Sequence, residues 1–292
     1  MPNPEHNAVE NVNGTLAEIS RDDRDVLVEV KPVLPAAGVS ETSARSFLIC
    51  VVSLAAVFVF FVLEQRLWAT LGLGVMALLG YVLPSWRSAT PVAQVLFAYC
   101  GLSYAINNEY FAVAYPYSNI FILTGLLGLF FLSGKQWSQL YFAPGKTKNW
   151  TRPAAIIGIA LSALILAIYF WRPELVGKNP TPRQWPLDVL IVVALGYATF
   201  STLMEETIFR SMILSFARTQ LKPGLAVATQ AFIFAAMHYH FGFPAQAFGS
   251  LLAFLWGLAA GLIVVKSESI YPAYVLHFIL VLALFIVLAF VS

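Results

Sequence analysis

The chain has 292 residues, 59% of them hydrophobic and only 11% charged, against about 25% charged in soluble domains, which excludes a single soluble globule. Residues 1–46 hold 4 Lys/Arg and 8 Asp/Glu, so the formal net charge of +2 conceals an acidic polar arm joined to a basic, apolar body. That division is the pattern of a polytopic membrane protein whose partner is the lipid bilayer, and it argues against a nucleic-acid binder.

The arm, residues 1–46, lacks the short basic region directly ahead of an apolar core that marks a secretory signal. Its composition reads as a solvated, disordered, cytoplasmic extension. Beyond it, apolar runs approaching the ~20 residues needed to cross a bilayer predict spans at 47–65, 67–84, 92–113, 118–133, 154–171, 187–204, 223–239, 246–265 and 270–291. The second and fourth are marginal. The expected fold is therefore all-α, a polytopic transmembrane bundle of eight or nine spans, with an N-terminal group of helices over 47–171 and a C-terminal core over 187–292. Cys50 and Cys100 lie inside apolar runs with no CxxC pair and read as small core hydrophobes. With nine spans and the arm inside, the inside segments collect 12 Lys/Arg and the outside segments four, with Arg210 set apart as intramembrane. This bias places the arm in the cytoplasm.

Ionisable residues within such spans are informative, because each costs about 2.5–3.5 kcal/mol at a helix centre. Asn107, Asn108 and Glu109 in the third span read as an interfacial cluster near Pro116. The sixth span runs into Glu205, Glu206 and Arg210, and the absence of Gly or Pro between Gly196 and Lys222 predicts a helix continuing to about Gln220. Glu206 and Arg210 are spaced for an i,i+4 ion pair with the acid N-terminal. Glu205, rotated by about 100°, lacks that partner. A carboxylate poorly solvated among Leu203, Met204 and Ile208 is a candidate general base; taken alone, the same residues also fit a helix end meeting water.

The histidines narrow that choice. Glu205 precedes the turn near Leu221 by 16 residues and His238 follows it by 17, so an antiparallel hairpin brings both to one depth, about 25 Å from the turn at ~1.5 Å per residue. Phe234 lies one turn before His238 on the same face and is placed to wall the site against water. His240 points elsewhere and reads as interfacial. His277 lies about seven residues into the last span, after Ser269-Ile270-Tyr271-Pro272. The Gly257 to Gly261 stripe reads as a close helix contact. Two histidines and a paired carboxylate on three apolar helices are most simply one site.

These residues resemble the CPBP intramembrane proteases, the CAAX-prenyl-protease and bacteriocin-processing group. Its E-E-x-x-x-R motif is matched by Glu205, Glu206 and Arg210, and its F-x-x-x-H motif by Phe234 and His238. Its third motif, a His followed four positions later by Asn or Asp, finds His277 but Val281 in the fourth place. The resemblance covers roughly 187–285. It implies an endopeptidase acting on a membrane-associated peptide or protein. Glu205 would be the base, His238 would orient or protonate the water, His277 would donate to the oxyanion, and Glu206 with Arg210 would form a structural pair. Val281 cannot donate, and losing one such donor costs about 10²–10³ in rate. A slow enzyme, or one that has lost catalysis, follows unless another group replaces the donor.

Rival readings remain at this point. Zinc is a possible cofactor, and Glu205, His238 and His277 are the residues that would hold it; the H-E-x-x-H pattern is absent. Asp188, the only Asp after the arm, leaves no aspartyl dyad, and Gly249-Ser250-Leu251-Leu252 is only the nearest approach to a serine-protease motif. A scaffold or immunity role is the alternative that Val281 suggests. A transporter would call for internal repeats, and the two halves show none.

Overall fold

The computed structural model describes residues 42–107, 117–171, 186–241 and 246–291, which fall within the unit Val33–Ser292. The arm as far as residue 41, Asn108 and Glu109, and the loop at 242–245 lie outside the described residues. Among those described, the regular structure is helical: α1 (Ala44–Phe61), α2 (Arg66–Val82), α3 (Pro91–Asn107), α4 (Tyr117–Leu132), α5 (Thr147–Trp171), α6 (Leu187–Glu205), α7 (Leu214–Arg218), α8 (Pro223–Phe241), α9 (Gln246–Ser267) and α10 (Tyr271–Val291). Short 3₁₀ turns occupy Pro84–Ala89 and Trp137–Leu140, and a π-helical segment, Glu206–Ile213, joins α6 to α7 without a break.

A helix thus stands at each predicted span. Four stretches, Ala44–Phe61, Thr147–Ile168, Leu187–Arg218 and Gln246–Ser267, are long and apolar enough to cross a membrane. Arg66–Val82, Pro91–Ile106, Tyr117–Leu132 and Tyr271–Phe285 are shorter apolar helices. Large apolar side chains face outward along them, including Leu48, Trp68, Leu78, Leu132, Ile159 and Leu255. Water would penalise so much exposed apolar surface and lipid does not, so this is a membrane protein.

Local chemistry explains the boundaries. Ser43 caps α1, its hydroxyl oxygen accepting the Ser46 N–H at 3.1 Å. Proline opens α3 and α8, where its missing N–H costs nothing. The predicted Gly257 to Gly261 stripe lets α9 press on α8: a Cβ at Gly257 would lie 2.9 Å from Ala231 Cα, and one at Gly261 2.7 Å from Gln230 Nε2. Gln230 Nε2 donates to the Gly257 carbonyl at 2.6 Å across this contact. α10 packs on α5 and α6. Cys50 and Cys100 are free and buried, as expected.

The connections at one end of the bundle are tied together. Lys222 N–H donates to Thr42 Oγ1 (2.9 Å), Arg45 to the Ser85 carbonyl (2.9 Å), and Val92 N–H to Gln220 Oε1 (3.1 Å). Ile270 N–H reaches the Tyr141 carbonyl (2.9 Å), Lys146 N–H the Ser267 carbonyl (2.6 Å), and Lys146 Nζ pairs with Glu268 at 2.7 Å. Arg218 donates to the Tyr141 hydroxyl, linking these two groups of contacts. At a separate place Glu64, between α1 and α2, faces Arg66 at 3.6 Å and His240 Nε2 at 4.0 Å.

Candidate functional site

The π-helical segment is the centre of the polar interior. All eight of its residues are buried. A π turn closes its hydrogen bond one residue later than an α turn, is rare, and is frequently found at functional sites. Here it is held from outside its own helix: Ser211 donates to the Leu140 carbonyl and Ser215 of α7 to the Gln139 carbonyl. The 3₁₀ turn after α4 thereby fixes the helix that bears the acidic motif.

Glu205 and Glu206 straddle the start of this segment and meet different surroundings. Glu206 is fully buried; its Oε1 lies 3.3 Å from Arg210 NH1 and 2.7 Å from His277 Nδ1. Glu205 keeps a 20% exposed side chain, its Oε1 accepting from Ser201 Oγ at 3.3 Å and its Oε2 3.9 Å from His277 Nε2. His277, on α10, therefore bridges the two carboxylates. Since a carboxylate only accepts, Nδ1 carries the proton shared with Glu206.

His238 makes a different bond, from Nδ1 to the Phe234 carbonyl at 2.8 Å. That carbonyl can only accept, so the neutral ring keeps its lone pair on Nε2. Glu205, His277 and Arg210 all lie within electrostatic reach of His238. Phe234 sits among these groups, its ring 4.1 Å from the His238 ring, 6.2 Å from that of His277 and 5.1 Å from that of Phe209. The Arg210 guanidinium lies over its face at 4.1 Å. Arg210 is fully buried and, the ion pair aside, has no hydrogen-bond acceptor for its nitrogens among the described residues.

The six residues singled out in the sequence, Glu205, Glu206, Arg210, Phe234, His238 and His277, are thus brought together by the end of α6, the π segment, α8 and α10. His240 is apart from them, near the Val62 carbonyl at 3.3 Å. Val281 follows one turn after His277. Three further residues belong to the arrangement. Ser201 could have been found from its i,i+4 spacing to Glu205. Trp256 of α9, whose ring is 5.4 Å from that of His277, and Tyr99, packed edge-on to Phe209 at 5.7 Å, carry no local signal.

Among the described residues no three His, Cys, Asp or Glu side chains converge closely enough to hold a metal ion. Glu205, His238 and His277 as arranged do not fit a three-ligand zinc site.

Residues 184–283 match the family model described as type II CAAX prenyl endopeptidase Rce1-like. No curated protein and no solved structure matches the chain. The match covers the site residues and Val281 together.

Proposed function

We propose that this chain, a member of the CPBP family through residues 184–283, is an intramembrane endopeptidase in which Glu205 activates a water. The observation that supports this most is the asymmetry of the two carboxylates. Glu206 is fully buried with its Oε1 committed to Arg210 and His277, whereas Glu205 is 20% exposed, bonded only by Ser201 Oγ, with its Oε2 unpartnered among the described residues and so open to a water. Glu205 takes a proton from water as the oxygen attacks the scissile carbonyl carbon. The carbonyl electron pair moves to oxygen, and collapse re-forms C=O, breaks C–N and leaves a proton on the departing amine. His238, with its Nε2 lone pair free in the neutral ring, orients the water and relays that proton. His277 Nε2 lies on the Glu205 side. With Nδ1–H already committed to Glu206, it donates to the oxyanion only when the ring carries both protons. Glu206, Arg210 and Phe234 hold His277 and exclude water.

The substrate class we propose is a prenylated C-terminal peptide tail presented from the membrane, in line with the family model. The eight or nine spans and a cytoplasmic arm are part of the same proposal. A second reading, a catalytically weak or inactive scaffold or immunity protein, is favoured by Val281. Purified protein in proteoliposomes with a fluorogenic farnesylated CAAX peptide separates them. Cleavage lost in Glu205→Gln and His238→Ala supports the protease, and equal cleavage by Glu205→Gln overturns the mechanism. A chelator arm reads metal dependence: inhibition reversed by zinc would overturn glutamate activation of the water.

A further inference from the structure

Val281 leaves the proposed reaction short of a donor, because the place one turn after His277 cannot stabilise a developing negative charge. A replacement must satisfy three conditions. It must be a hydrogen-bond donor, its donor atom must be out of water, and it must not already be committed to a partner. Arg210 has nitrogens without an acceptor, but its charge is held by the ion pair with Glu206 and by the face of Phe234, and drawing it to an oxyanion would strip the buried Glu206 of its counter-charge. Ser201 fails the third condition, since its hydroxyl donates to Glu205.

Trp256 meets all three. The side chain is 9% exposed, and its Nε1 is buried with no hydrogen-bond acceptor among the described residues. An indole N–H can only donate, and buried without an acceptor it is a cost to the fold that needs an explanation. Its ring lies 5.4 Å from the His277 ring, inclined by 57°. Its helix, α9, contacts α8, the π segment and α10, three of the four elements that carry the site. The adjoining Gly257, pressed on Ala231, fixes α9 against α8 and so fixes where this indole stands.

We propose that Trp256 is a catalytic residue whose Nε1–H donates to the tetrahedral oxyanion, in place of the donor that Val281 cannot supply. This rests on the protease reading of the site. When water attacks and Glu205 takes its proton, the electron pair leaving the carbonyl bond settles on oxygen between His277 Nε2–H and Trp256 Nε1–H. Both bonds are released when the pair returns and the C–N bond breaks. No proton moves to or from the indole.

The experiment compares wild type, Trp256→Phe, Trp256→3-benzothienylalanine and Glu205→Gln in proteoliposomes on the same fluorogenic farnesylated peptide. The benzothienyl side chain keeps the outline of indole and lacks only the N–H, so it carries the test if Trp256→Phe does not fold. Expected for both Trp256 variants is a fall in kcat of about 100-fold with KM changed by less than about threefold, since the bond forms only in the transition state. A benzothienyl variant with kcat within threefold of wild type, or a loss confined to KM, overturns the role of Trp256. If Glu205→Gln is inactive in that case, the protease reading stands and this inference alone falls. If Glu205→Gln matches wild type, the reading on which it rests has failed.

Discussion

Glu205 and Glu206 are chain neighbours, yet a change at each should register in a different measurement. Glu205 is partly exposed and has one hydrogen bond from Ser201. Glu205→Gln is isosteric and keeps an acceptor for that hydroxyl, so thermal unfolding in detergent should shift by less than about 1 kcal/mol while peptide cleavage is lost. Arg210 is the opposite case. It is fully buried against Glu206, and removing it leaves that buried carboxylate without its counter-charge, held only by His277. Arg210→Met should therefore destabilise by about 3–5 kcal/mol. Combining it with Glu206→Gln should recover part of that loss in a double-mutant cycle on the unfolding midpoint. If the double variant is no better than the single, the pair is not what stabilises the segment. The Glu206–Arg210 spacing made this pair legible in the sequence. The family resemblance cast His277 as an oxyanion donor, or as a ligand if zinc is bound, and its bond to Glu206 was not legible because it depends on how α10 lies against α6 and the π segment.

At the scale of elements, the site depends on two contacts that glycine permits. Gly257 lets α9 approach α8, and Gly145, at φ +50°, passes under the Ser267 and Glu268 carbonyls at the turn into α10. Gly257→Ala sets a methyl group within 2.9 Å of Ala231 backbone, and neither helix can yield without shifting Gln230 and Trp256. We expect a loss of about 1–3 kcal/mol in unfolding, with cleavage reduced further than stability because α8 carries His238. Gly145→Ala meets backbone on one side and an unfavourable φ on the other, and should lower the unfolding midpoint by a similar amount. A cleavage rate for Gly257→Ala that equals wild type would show that the α8–α9 contact does not position the histidine. The small-residue stripe announced the first contact. The π-helical turn at Glu206–Ile213 was not legible, because hydrophobic periodicity reads it as ordinary helix, and the Leu140 and Gln139 carbonyls that hold it lie about 70 residues earlier.

For the whole molecule, the hydrogen bonds between connections bear on how the chain sits in the bilayer. Thr42, Arg45, Ser85, Val92, Tyr141, Lys146, Arg218, Gln220, Lys222, Ser267, Glu268 and Ile270 are linked in groups by direct contacts. The starts of α1, α3, α5, α8 and α10 and the ends of α2, α7 and α9 therefore lie at one end of the bundle. The segments that the charge bias assigns to the inside include Arg45, Arg87, Lys135, Lys146, Lys148, Arg152, Arg218, Lys222 and Lys266, and the linked residues belong to these segments or border them. Sequence charge alone left the side of the C-terminus dependent on whether a marginal span was counted. The shared end removes that dependence for the last helix, because α10 starts beside Tyr141 and runs away from the basic end. If basic connections face the cytoplasm, the C-terminus lies outside. Single cysteines introduced at Ser85, Lys222 and Ser292 in a Cys50→Ala/Cys100→Ala background should divide accordingly. In intact cells a membrane-impermeant maleimide should label Ser292→Cys but reach Ser85→Cys and Lys222→Cys only after permeabilisation. Labelling of all three from one side would show that α10 does not cross and would overturn this topology.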